Sequence, residues 1–513
     1  MKKSLLIISC LFVLAGCGEQ RETVATPQSF LQACPGFVET GKPPLVSGAQ
    51  CGRLTVKEDS ADPASKDIDI EILRLPAISP AAQQDPLFLI QGGPGGSSIE
   101  MASFIHGFFA DVRKNRDLIF VDQRGTGKSN PLRCEQLSGT DLQLPESVQM
   151  EKYLQFMVQC AEKYKTSLPF YTTLHAVQDL DAVRVALGYK TINLWGVSYG
   201  TRVALEYAKR YPQSTRSIIL DGVAPKEIAL SKFSARDSLA ALTSVNHECQ
   251  IQPECESAFG NILQKTENIY ARLQVLDQRG VPLVVHYEHP VYQQQEQLTL
   301  TAKNFSMLIF NALYSRDLTV LLPQAISEAE QENYRLLAAL FSLAMEQSQK
   351  MNIADAMHFS VLCNEDWHFI SATDVETTPP FFGLNVIKDR DTVCGFWPKA
   401  SLPEDYWQPV HSEVPALLLS GKHDPVTPGV WAEQVAKGLP DSVRLMAAGG
   451  NHGVSYEGCV PQIIAQFIER GSMKDVKTEC VTNIKPLPLV LGANRKKSSS
   501  SVANSAAAEG VEP

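Results

Sequence analysis

The chain has 513 residues, 44% hydrophobic and 8% aromatic, and its 46 Lys and Arg against 56 Asp and Glu give a formal net charge of −10. That length and apolar content can bury a large core, enough for a domain with a substantial insertion. The acidic balance argues against an electrostatic grip on nucleic acid, and cysteine spacings without a C-x-x-C argue against a zinc site.

The N-terminus reads as an export signal. Met1-Lys2-Lys3 precedes an apolar run from Leu5 to Leu14 and a small-residue exit, Ala15-Gly16-Cys17. Two cations, about ten apolar residues and a small-residue cleavage site make a secretory leader, and the run is too short for a stable membrane helix. Leu14-Ala15-Gly16-Cys17 is also similar to a bacterial lipobox. That makes residues 1–16 the signal peptide and Cys17 the acylated first mature residue, with 17–30 as anchor and tether. The alternative is an ordinary signal cut nearby, leaving Cys17 a plain thiol. The resemblance to bacterial lipoproteins brings their sorting rule, under which Gly18 rather than Asp after the cysteine would favour the outer membrane of a Gram-negative cell, with the protein facing the periplasm. Beyond Cys10 and Cys17 stand ten cysteines, an even number that suggests disulfides in an exported chain. Sequence neighbours suggest Cys34–Cys51, Cys134–Cys160, Cys249–Cys255, Cys363–Cys394 and Cys459–Cys480. Ten thiols allow roughly 900 connectivities, so order alone does not choose among them.

Alternation between Gln50 and Leu75 suggests a strand pair. Pro86 to Ile90 and Asp117 to Val121 are short apolar strands, leading into Gln91-Gly92-Gly93-Pro94-Gly95-Gly96 and into Asp122-Gln123-Arg124-Gly125. His175 to Leu187 carries Val177, Leu180, Val183 and Leu187 on one helical face. Thr191 to Trp195 is a further buried strand, followed by Gly196-Val197-Ser198-Tyr199-Gly200 and a helix over Thr201 to Tyr211 that Pro212 stops. Another strand lies near Ser217 to Asp221. Apolar strands alternating with helices mean a mostly parallel sheet covered on both faces. The rhythm stops after Pro225, where the pattern becomes mainly helical with polar stretches such as Gln293 to Gln297. It resumes at Val414 to Ser420 and Ser442 to Met446. The expected organisation is a core over 31–224, a mainly helical cap insertion over 225–405 and the rest of the core over 406–490. The Ser/Ala-rich stretch 491–513 has no apolar period and is expected to be a disordered tail.

G-x-S-x-G between a strand and a helix is a nucleophile elbow, which points to Ser198 as a nucleophile. Serine is a poor nucleophile near neutrality and needs a base, itself held by an acid. With the order nucleophile, acid, base along the chain, the two late strands supply the partners. Asp424 follows one, in Gly421-Lys422-His423-Asp424-Pro425-Val426-Thr427-Pro428, and His452 follows the other, in Gly449-Gly450-Asn451-His452-Gly453. Asp221, which also ends a strand, is the rival acid; His423 reads as a loop side chain, and His175, His358 and His368 as structural or surface residues. A tetrahedral intermediate needs two backbone N–H groups aimed at its oxyanion; these are expected from Gly93 and from Tyr199. Asp122 to Ser129 only superficially offers a phosphate loop, because Asp122 stands where that loop requires glycine.

Together, GGPGG (92–96), DQRGTGKS (122–129), GVSYG (196–200), GKHDPVTP (421–428) and GNHG (450–453) resemble the proline iminopeptidase and tripeptidyl aminopeptidase family of α/β-hydrolase serine peptidases. The resemblance spans nearly the whole mature chain, weakest through the insertion and absent in the tail. It departs at Gln91, where many relatives have histidine. The resemblance implies an α/β-hydrolase fold and an exopeptidase that needs no metal or cofactor. Its cap would recognise the free N-terminal amine of a peptide with carboxylates. Cys363-Asn364-Glu365-Asp366 lies where such an acid is expected, so Glu365, with Asp366, is the candidate amine-binding pair; an exposed or helix-capping acid pair is the alternative. Two other functions fit the same motifs: a carboxylesterase or lipase with the same triad, and a non-catalytic envelope binding protein.

Overall fold

In the computed structural model residues 30–34, 48–137 and 146–485 are described. The expected signal peptide, Cys17, nearly all of the tether and the C-terminal tail lie outside the described residues. Nine strands form one sheet: β1 (Gln32–Ala33), β2 (Gln50–Lys57), β3 (Asp67–Leu75), β4 (Leu87–Ile90), β5 (Leu118–Val121), β6 (Ile192–Val197), β7 (Thr215–Asp221), β10 (Ala416–Gly421) and β11 (Ser442–Ala447). Two more, β8 (Val284–Glu288) and β9 (Gln295–Thr299), pair separately. The large sheet runs β1-β2-β3-β5-β4-β6-β7-β10-β11, antiparallel from β1 to β5 and parallel from there to β11.

The apolar strands read as continuous runs because both faces are covered. On β4, Phe88 and Ile90 pack toward the helices Thr173–Ala186 and Tyr199–Arg210, with Val177, Leu180 and Val203. Leu87 and Leu89 turn the other way and meet Phe467 and Ile463 of the helix Val460–Arg470. Single-residue alternation on one strand therefore feeds two layers, as the pleat dictates.

Between β7 and β10 the chain is mainly helical and builds a second core around Leu242, Phe305, Ile309, Leu322, Ile326 and Leu337. Gln293 to Gln297, read as a polar stretch in a helical region, belongs to a hairpin in which Val284–Glu288 pairs antiparallel with Gln295–Thr299. Only Val285 and Tyr287 are buried on β8, and on β9 Glu296 and Leu298 are half-buried, so few apolar residues carried the period. All five disulfides form between the suggested neighbours, with Cα–Cα distances of 4.9, 5.3, 5.1, 5.0 and 6.4 Å in chain order.

Candidate active site

Six parallel strands end on one side of the sheet, and the site is built from five of those ends. After β6 the chain turns at Ser198 with φ 56° and ψ −126° and enters the helix Tyr199–Arg210. A serine with positive φ is held against its preference and marks a tight, overdetermined turn. The flanking glycines explain how the turn closes. A Cβ at Gly196 would lie 2.2 Å from the Gly200 carbonyl oxygen, and one at Gly200 would lie 2.3 Å from that of Ile90. No larger residue fits either place. The helix start is bound down by Thr201, whose backbone N–H and hydroxyl donate to the Ser198 carbonyl at 2.9 and 2.6 Å.

His452 and Asp424 meet. His452 Nδ1 donates to Asp424 Oδ2 at 2.9 Å, which leaves Nε2 free for another partner. Thr427 hydroxyl donates to the same Oδ2 at 2.7 Å and lies 3.1 Å from Nδ1, while Val426 and Thr427 N–H groups donate to Oδ1. Burial raises the Asp424 pKa, but His452 and these donors outweigh it and hold the carboxyl below its ordinary range. Burial likewise pulls the imidazole down, and Asp424 more than reverses this, so the ring sits above its ordinary value. An imidazole that is buried, oriented and made more basic is suited to take a proton.

The imidazole is brought beside the serine's turn through Asp221 and Gly222. The Ser198 N–H donates to the Asp221 carbonyl at 2.8 Å. A Cβ on Gly222 would stand 3.2 Å from His452 Cε1, so the ring lies against the next residue. Asp221 does not take the acid's place. Its carboxylate accepts the N–H groups of Val454 and Ser455 at 2.9 and 2.7 Å, pinning the loop that carries His452. Trp195 Nε1 adds a bond to Ser455 Oγ at 2.8 Å.

The loop 91–96 arches over this end of the sheet. The Gly92 N–H is taken by Gln91 Oε1 at 2.9 Å, whereas the Gly93 N–H has no protein acceptor among the described residues. Tyr199, first residue of its helix, has an N–H without an intrahelical partner. These are the two donors expected for an oxyanion. Cap residues brace the loop in a way the sequence did not signal. Ala354 N–H donates to Gly95 carbonyl at 3.0 Å, His358 Nδ1 donates to Pro94 carbonyl at 3.0 Å, and Ile353 Cδ1 lies 3.1 Å from where a Gly93 Cβ would be. Burial pushes the His358 ring down to about 3, so it stays neutral as a strut. Tyr314, also from the cap, sets its ring edge-on to His452 with centroids 5.0 Å apart. Of the missed residues only Thr427 left a trace in sequence, since Asp-Pro-Val-Thr suits an Asx turn.

The expectation for Glu365 and Asp366 is corrected. Both side chains are 0% exposed and fully engaged. Glu365 accepts from Thr173 N–H at 2.7 Å, Thr173 hydroxyl at 2.8 Å and Tyr406 hydroxyl at 2.6 Å, while Arg202 Nη1 reaches Asp366 at 2.7 Å and Glu365 at 3.3 Å. A carboxylate already saturated and sealed has nothing to offer a substrate ammonium. What the pair does is hold the elbow helix, because Arg202 lies on it and Thr173 Oγ1 meets the Tyr199 hydroxyl at 2.9 Å. Asp122 to Ser129 is structural as well: Asp122 accepts from Ser97, Ile99 and Lys128, and Arg124 forms a two-point pair with Asp179 at 2.7 Å for each bond. His423 is buried, and His368 stacks on Trp407 at 3.8 Å.

A family model of the α/β-hydrolase fold matches residues 85–251, and one described as TAP-like protein matches residues 379–480. The chain is similar to the serine protease Hip1 of Mycobacterium tuberculosis, 25% identical over 508 residues that cover 93% of this chain and 95% of that protein. It is also similar to the tripeptidyl aminopeptidase of Streptomyces lividans, 30% identical over 190 residues, 34% of this chain and 35% of that one. Among solved structures, proline iminopeptidase from Mycobacterium smegmatis is similar with 18% identity and a TM-score of 0.38, over 82% of this chain and 98% of that chain.

Proposed function

We propose that this chain of the α/β-hydrolase fold, with a TAP-like C-terminal part, is a serine aminopeptidase working through an acyl-enzyme. The observation that carries the catalytic reading is the buried His452–Asp424 hydrogen bond with its imidazole against Gly222, the residue after the Asp221 carbonyl that accepts the Ser198 N–H. In the proposed reaction His452 Nε2 takes the Ser198 proton as Oγ attacks the scissile carbonyl carbon. The oxyanion is received by the N–H groups of Gly93 and Tyr199. His452 then hands its proton to the departing amine, and water, deprotonated by the same ring, releases the acyl group. Asp424 fixes the tautomer and stabilises the imidazolium.

Restriction to free N-termini is supported by the tripeptidyl aminopeptidase named among the relatives. Glu365 and Asp366 are not the amine's partners in this proposal. The test is a panel of aminoacyl and tripeptidyl amides, free and N-acetylated, beside simple esters, with a fluorophosphonate probe on wild type and Ser198→Ala. Labelling of the wild type alone with turnover of free-amine peptides is expected. Equal rates on acetylated peptides would remove the aminopeptidase assignment, turnover of esters alone would make the protein a carboxylesterase, and a wild type that takes no label would make it a binding protein.

The proposed setting is the bacterial envelope, with Cys17 carrying the lipid. Five disulfides, which need an oxidising compartment, support export. Among the described residues no helix is long and apolar enough to cross a membrane. Metabolic palmitate labelling that is absent in Cys17→Ala is the expected result; label retained by the variant would exclude the anchor.

A further inference from the structure

The residues just past His452 carry an exposed aromatic feature that the catalytic reading leaves unused. Tyr456 is 37% exposed and Phe104 is 65% exposed. Their ring centroids are 6.3 Å apart, and Phe108 completes the group at 5.7 Å from Phe104 and 5.6 Å from Tyr456. Such rings cost free energy in water, and clustered ones mark surfaces that meet an apolar ligand. The group is continuous with the site. Tyr456 hydroxyl donates to the His452 carbonyl at 3.4 Å, and a Cβ on Gly453 would lie 3.3 Å from that hydroxyl and 3.7 Å from Val197 Cγ2, next to Ser198. Val197 and Phe108 border the same core cluster.

Chemistry decides which part of a substrate comes here. The leaving group must be within reach of the imidazole that protonates it, so it departs on the side of the residues flanking His452. We propose that Phe104, Phe108 and Tyr456 form the leaving-group subsite and favour a bulky apolar side chain immediately after the scissile bond. This rests on His452 as the proton carrier but not on the bond being an amide, because an ester's alcohol leaves by the same route.

The experiment uses two substrate series of fixed acyl part. One is peptides with Phe, Leu, Ser or Gly as the first leaving residue; the other is esters of benzyl alcohol and methanol. The wild type should favour the large apolar leaving group by about tenfold or more in kcat/KM, the scale expected for filling an apolar pocket. Phe104→Ala should cut that ratio at least several-fold, and Phe104→Leu should restore most of it. Ile78→Ala, which removes an equally exposed apolar side chain from the β3–β4 connection, should leave the ratio as in wild type. Ratios near unity in wild type, or an unchanged ratio in Phe104→Ala, would overturn the subsite. Turnover of esters alone would end the peptidase reading while the benzyl-to-methyl ratio still decides the subsite. No turnover in either series would overturn both.

Discussion

At the scale of single residues the site is a set of hydrogen bonds with defined directions, and each can be broken singly. Asp424→Asn would present an amide to His452 Nδ1 and favour the wrong tautomer. We expect kcat to fall on the order of 10⁴-fold with little change in the fold, measured by steady-state kinetics with circular dichroism as control. The pH profile carries a sign. His452 must be neutral to accept a proton, and Asp424 holds its pKa above the ordinary 6.5. Activity should therefore fall as pH drops through a value higher than that of a free imidazole. Thr427→Val removes one bond to Asp424 Oδ2 and should displace that limb without abolishing turnover. The strand-end placement of Ser198, Asp424 and His452 was legible because each sits in a short glycine- or proline-marked loop after an apolar strand. Glu365 and Asp366 were misread for a physical reason. A carboxylate destined for a buried ion pair and one destined for a ligand look alike until the guanidinium, here 163 or 164 positions away, is seen.

At the scale of elements, the elbow and its helix depend on close backbone approach and on a buried charge cluster. Gly200→Ala would drive a methyl to 2.3 Å from the Ile90 carbonyl, which requires β4 and the helix to separate. Loss of soluble, probe-reactive protein is the expected result. Arg202→Ala would strand Glu365 and Asp366 without their cation in a sealed place. Losing one side of such a pair costs about 3–5 kcal/mol, to be read from denaturant midpoints. The strands were visible as apolar runs and the elbow helix as a run ended by Pro212. The hairpin of β8 and β9 was not, since its buried face is so thin. The bracing of the oxyanion loop by Ala354 and His358 was equally hidden, because nothing in either segment encodes the other. His358→Ala should lower kcat more than it changes KM, as a loosened donor harms the transition state more than binding.

Across the whole molecule, covalent links and shared packing decide how the parts hold together. Cys363–Cys394 closes a loop of 31 residues that joins the helix Asp355–Asn364 to the helix Val386–Phe396. Replacing both by serine should remove about 3–4 kcal/mol on the chain-entropy account, seen as a lowered midpoint under oxidising conditions and no difference from wild type once all disulfides are reduced. The general architecture was readable because a parallel sheet writes itself as repeated apolar strands. The allegiance of the segment 354–361 was not. It lies within the insertion, yet Ala354, Met357 and Val361 pack in the same cluster as Phe88, Leu194 and Val203. The insertion is therefore no detachable accessory. An engineer who spliced Pro225 directly to Glu404 to obtain a minimal hydrolase would pull three interior residues out of the catalytic half, whereas trimming the β8–β9 tip would leave that half's interior whole.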